Sequence, residues 1–107
     1  MMWNSPSQTR LDQIPRLYET EHVPLKDVRV YLHFYLADSD WFITEYDGDD
    51  LFFGYAILNG DTQCAEWGYI SFRELKEIRI SYLEVECESD TAWQIRPVSE
   101  VEKIHLR

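Results

Sequence analysis

The residues of this chain able to do chemistry are its carboxylates, three histidines and two cysteines. The densest group is "EYDGDD", residues 45–50, four acids around Gly48. Asp47, Asp49 and Asp50 are close enough in sequence to offer oxygens to a hard cation such as Mg²⁺ or Ca²⁺. Their order does not fit a calcium loop, which needs acids at positions 1, 3 and 5, glycine at 6 and glutamate at 12. Asp-Gly is instead a strong hairpin signal, because both residues tolerate positive φ. The stretch is therefore expected to turn the chain with its acids in water and no metal bound. A second arrangement pairs Glu45 with Glu66. Two carboxylates that meet in a cleft split their pKa values and divide acid and base roles. Together with Asp47 they define the enzymatic alternative, a small metal-assisted hydrolase.

The other groups form no catalytic set. His22, His33 and His105 lack metal-ligand spacing, and neither Cys64 nor Cys87 adjoins them in sequence. There is no CxxC, no G-x-S-x-G and no glycine-rich phosphate loop, so no cofactor is expected. The cysteines read as reduced thiols, since a chain of this length needs no disulfide. His33 stands out because alternation puts it on one strand face with Tyr31 and Tyr35. Tyr46 and Glu45 follow on the next strand. Tyrosine is enriched at binding hot spots, so the candidate binding residues are Tyr31, His33, Tyr35, Tyr46 and Glu45. The competing reading packs this face under a helix or the N-terminal segment, with polar tips at the rim.

These residues need elements to hold them. In "VRVYLHFYLA" (28–37), Val28, Val30, Leu32, Phe34 and Leu36 alternate with Arg29, Tyr31, His33 and Tyr35, a strand period. "WFITEY" (41–46), "LFFGYAIL" (51–58) and "EWGYI" (66–70) are further strands rich in aromatic and β-branched residues. "YLEVECE" (82–88) and "AWQIR" (92–96) read as two late ones. Ser71 with Glu74 forms a capping box, and Phe72, Leu75 and Ile78 follow at helical spacing. The expected fold is α+β: an antiparallel sheet of five to six strands with one main helix, about residues 72–79, on one face. Residues 1–10 are expected to be a flexible N-terminus and 11–107 a single domain.

Composition narrows the function classes. Of 107 residues, 45% are hydrophobic and 15% aromatic, enough for a core. Twenty acids against ten bases give −10 at neutral pH. That charge repels phosphate backbones, so no direct nucleic-acid binding is expected, and a basic protein surface is the favoured partner. No apolar run reaches the roughly 18 residues of a membrane span. "MMWNSPSQTR" lacks an apolar signal core, so the expected location is cytoplasmic. Trp3, Trp93 and the sheet edges are candidate dimer contacts; oligomeric state is open.

"LYETEHVPLKD", "W-ITEYDGDD-FFG", "EWGYISFREL" and a late "RPVSEV" share order and spacing with a family of small bacterial and mobile-element proteins. The chain resembles this family, known as a conserved domain of unknown function, over roughly residues 14–101. The resemblance implies a compact α+β protein and a setting among plasmids and phages. It supplies no catalytic residues. The function expected is thus a non-enzymatic interaction or accessory module, in one version a nucleic-acid mimic.

Overall fold

The computed structural model describes residues 5–105. Ser7 caps a short helix α1 (Gln8–Asp12) by accepting from the Arg10 N–H. A strap of turns (residues 16–22) follows, then a 3₁₀ turn at Leu25–Asp27. Strands β1 (Arg29–Val30), β2 (Leu32–Leu36), β3 (Ser39–Tyr46), β4 (Leu51–Ile57) and β5 (Glu66–Ser71) come next. Helix α2 (Phe72–Glu77) leads into a small hairpin, β6 (Arg79–Ile80) with β7 (Leu83–Glu84). The last strands are β8 (Glu86–Cys87) and β9 (Arg96–Pro97), ahead of a 3₁₀ turn at Val98–Glu100. The main sheet is antiparallel and runs β5-β4-β3-β2-β8.

Two cores lie on its two faces. Leu32, Phe34, Leu36, Trp41, Ile43, Tyr46 and Phe52 meet Leu11 of α1 and Phe72 and Leu75 of α2. On the opposite face Phe42, Tyr55 and Ile57 meet Val28, Val30, Trp93, Val98 and Val101. Trp93 is fixed there by its indole N–H, which donates to the Val30 carbonyl at 3.1 Å. Trp93 is buried and so offers no dimer contact; Trp3 lies outside the described residues, as do residues 1–4 of the expected flexible terminus.

Three expectations change. Among the described residues the α-helices are two and short, five and six residues, so no single main helix covers a face there. Helix α2 ends at Glu77 because Ile78 is already extended, and the chain then turns through Ser81 at φ +58 into the β6–β7 hairpin. The long strand 28–37 is broken at Tyr31. Its first part leaves the main sheet to pair with β9, which turns Val28 and Val30 to the core opposite Leu32 and Phe34. The two late strands shrink to two-residue pieces, because Leu83–Glu84 pairs with β6, Glu86–Cys87 with β2 and Arg96–Pro97 with β1.

Candidate functional site

A one-residue bulge decides what the sheet presents. In the β3–β4 ladder Ile43 pairs with Gly54 and Glu45 with Phe53, leaving Thr44 as the extra residue. The Thr44 hydroxyl donates to the Phe53 carbonyl at 3.1 Å. Gly54 permits the close approach: a Cβ there would lie 2.1 Å from the Phe42 carbonyl oxygen. Past the bulge the side-chain parity reverses. Tyr46 turns into the α2-side core, 5% exposed, with its ring 4.8 Å from Phe52. Glu45 turns to the other face, beside Phe53.

There Glu45 holds the strap. Its carboxylate accepts from the Tyr18 N–H at 2.9 Å, the Thr20 N–H at 3.0 Å and the Thr20 hydroxyl. Tyr18 reaches this position at φ +72, a conformation rare for a residue with a Cβ. Its hydroxyl pairs with that of Tyr69 at 2.8 Å, joining the strap to the edge strand β5. The Tyr18 hydroxyl is also the main cause that raises the Tyr69 phenol above its ordinary value. Between strap and sheet lies an open cleft of about 540 Å³. Glu45 and Thr44 form its floor; Phe53, Trp67, Tyr69, Val23 and Leu25 are among its walls, with Glu21 on the strap. A volume of this size suits a small ligand or an inserted side chain.

His33 is at a different place on the same face. It stacks on Phe42 at 4.5 Å and 7°, with Trp93 5.3 Å away. Each ring nitrogen bonds a carboxylate: Nε2 with Asp40 Oδ1 at 2.7 Å, Nδ1 with Glu88 Oε1. A ring protonated at both nitrogens donates to both. Lys103 Nζ donates to the second Asp40 oxygen at 3.0 Å. With both nitrogens engaged, this network ties β2, β3, the end of β8 and the C-terminal segment together. Tyr35 lies beside it, ring centroids 5.7 Å apart, with its hydroxyl raised in pKa by partial burial and by Glu86. Tyr31 lines a separate cleft with Arg10, Trp93 and Ile95. Of the five candidates, His33 and Tyr35 are neighbours; Tyr31, Glu45 and Tyr46 stand at three other places.

"EYDGDD" turns the chain, as its Asp-Gly pair implies, with Gly48 at φ +90. Its acids do more than face water. Asp47 Oδ1 accepts from the N–H groups of Asp49, Asp50 and Leu51 at 2.8–3.0 Å. Asp50 accepts from the Ser71 hydroxyl and the Arg73 N–H, both at 2.7 Å, at the start of α2. The hydrolase triad is not assembled. Glu45 is level with Phe53 and Tyr69, whereas Glu66 pairs with Ala56. They are therefore roughly 10 Å apart along the strands and two strands apart across them. Asp47 is committed to the loop backbone. Among the described residues no group of three or more His, Cys, Asp or Glu could hold a metal ion. Cys64 is an exposed thiol and Cys87 a buried one.

The cleft, with its carboxylate and latch, was missed in sequence because the bulge that turns Glu45 toward it was not foreseen. Gly54, a glycine inside the strand "LFFGYAIL", was the available signal.

Fold and cleft together define a small antiparallel-sheet protein with a ligand-sized cleft and no assembled catalytic set among the described residues. A family model for proteins of unknown function, DUF2958, matches residues 8–103, and the chain belongs to that family. No curated protein and no solved structure matches it. Among the described residues no helix is long and apolar enough to cross a membrane.

Proposed function

We propose that this chain is a non-enzymatic interaction module whose strap-and-sheet cleft receives a basic partner protein. The observation that carries the reading is the mouth of the cleft. Tyr18 is 59% exposed, Tyr69 53% and Leu25 44%. These apolar groups face water around an open recess, on a chain of net charge −10. Large exposed aromatics at a concave rim are what partner anchors use. The acidic surplus steers positively charged surfaces toward it and rejects phosphate backbones.

The finer version places the module in the cytoplasm and in the mobile-element setting that its sequence resemblance implies. The partner is then a protein that handles nucleic acid, and the acidic surface occupies its basic groove as a mimic. Capture from host-cell lysate on the immobilised chain, at low and high salt with duplex DNA as competitor, tests this. The expected result is a basic, nucleic-acid-handling protein, released by salt and displaced by DNA. Capture that salt does not weaken would reject an electrostatic partner, and no specific capture would reject the module.

A further inference from the structure

The floor of the cleft carries a buried carboxylate. β3 has two buried carboxylates, Asp40 and Glu45. Asp40 meets Lys103 and His33. Glu45, only 6% exposed, has three donors that are all neutral: two backbone N–H groups and a hydroxyl. Among the described residues it has no ion-pair partner. Buried carboxylates are normally paired, so this one is set to receive a cation from outside.

The walls agree. Phe53 and Trp67 lie nearly parallel, 16° apart with centroids at 6.1 Å, and Tyr69 meets Phe53 edge-on at 5.4 Å. Aromatic faces attract cations, Trp most strongly. Among the described residues no lysine or arginine lines the cleft, and Glu21 adds a second carboxylate on the strap. At about 540 Å³ the space exceeds a metal ion and admits a long side chain. Guanidinium fits better than ammonium here. It is planar, stacks on rings and is more weakly hydrated, so entering an aromatic recess costs it less.

We infer that the cleft is a guanidinium site and that its occupant is an arginine side chain of the partner. The inference rests on the interaction-module reading above and names the residue type that the module captures.

The test is an NMR titration of the intact chain with acetyl-Gly-Arg-Gly-amide. Its neutral citrulline counterpart and the lysine peptide serve as controls. Saturable shifts of the Tyr18 and Thr20 amides and the Trp67 indole are expected with the arginine peptide. The citrulline peptide should bind at least ~10-fold more weakly, as loss of a charged contact in a recess implies. Added salt should weaken the arginine peptide. Glu45 also holds the strap, so two other variants decide. Glu21→Gln should weaken binding several-fold, and Trp67→Leu should abolish it while the folded spectrum persists. Equal binding of arginine and citrulline peptides, or shifts that avoid the cleft, would overturn the inference. Tighter binding of the lysine peptide would overturn the choice of guanidinium. The two readings fail separately. If wild type captures a salt-released basic partner and Trp67→Leu captures it equally, the cleft assignment falls and the module stands. If the peptide binds but no basic partner is captured, the module falls and so does the partner arginine as occupant.

Discussion

Asp50 shows how one acid can serve two elements. Its backbone carbonyl accepts the Phe72 N–H at 2.7 Å, and its carboxylate takes the Ser71 hydroxyl and the Arg73 N–H. The start of α2 is thus capped from within by Ser71, which accepts from the Glu74 N–H, and from outside by the β3–β4 turn. Asp50→Ala should lower stability in urea by about 1 kcal/mol, the usual cost of a lost cap. A neutral result would mean that Ser71 alone suffices. The Ser71 hydroxyl, then the Arg73 N–H, hold the Asp50 carboxyl below its ordinary value of 3.8. The Asp49 N–H does most to lower Asp47, followed by those of Leu51 and Asp50. A pKa depressed by folding gives stability that is complete above the unfolded value and is lost as pH falls through the folded one. Acid unfolding should therefore draw on these two groups below about pH 4, and Asp47→Asn should flatten that part of the profile. The Asp-Gly turn was legible in sequence because φ preference is local. The bond from Asp50 to α2 was not, because it spans 23 residues to Arg73 and exists only once the sheet has placed the turn beside the helix. The cysteines separate in the same way. Burial pushes the Cys87 thiol up to about 11, whereas Cys64 is exposed. The thiolate is the reactive form, so near-neutral alkylation read by mass should modify Cys64 in the folded chain and Cys87 only after unfolding.

At the scale of elements, alternation identified β2 through β5 and put Leu32, Phe34 and Leu36 together on what is the α2-side core, because a strand buried on a face must repeat every two residues. It did not place Tyr46 in that core, because a bulge adds one residue and reverses every later side chain on that strand. Composition does not announce a bulge; the close pairing of Ile43 with Gly54 creates it. Gly54→Ala is therefore the sharpest test of the site's architecture. The new methyl would press on the Phe42 carbonyl, backbone that cannot rotate away. The expected cost is about 3 kcal/mol, the upper part of the range for overpacking. A fully stable Gly54→Ala chain would mean that β3 and β4 pair without the bulge. The strap depends on the same device. Glu45→Gln keeps one acceptor but turns an amide toward donors, which should cost about 2 kcal/mol for bonds to a buried charged group. Hydrogen exchange should locate the loss: the Tyr18 and Thr20 amides accelerate while those of β3 stay protected. Uniform acceleration instead would make Glu45 a core residue rather than a latch.

At the scale of the whole molecule, one strand serves both cores. β3 sends Trp41, Ile43 and Tyr46 to the α2 side and Phe42 to the Trp93 side. Removing either packing partner exposes the same backbone, so the faces have no means of melting separately. Asp40 strengthens the coupling: it leaves β3 for His33 on β2 and for Lys103 in the C-terminal segment. His33 in turn reaches Glu88 at the end of β8. This argues for all-or-none unfolding, as chains of this length usually show. The sequence carries its own reporters, Trp41 on one face and Trp93 on the other. Variants with the remaining tryptophans replaced by phenylalanine should give urea transitions with the same midpoint and slope from either probe. The slope matters as much as the midpoint, since it scales with the surface exposed in the step being watched. If Trp93 instead reports an earlier, shallower transition, the β1–β9 side is a separate cooperative unit. The charge network through Asp40 would then be too weak to bind it to the sheet, and Lys103→Met should leave that early transition where it was.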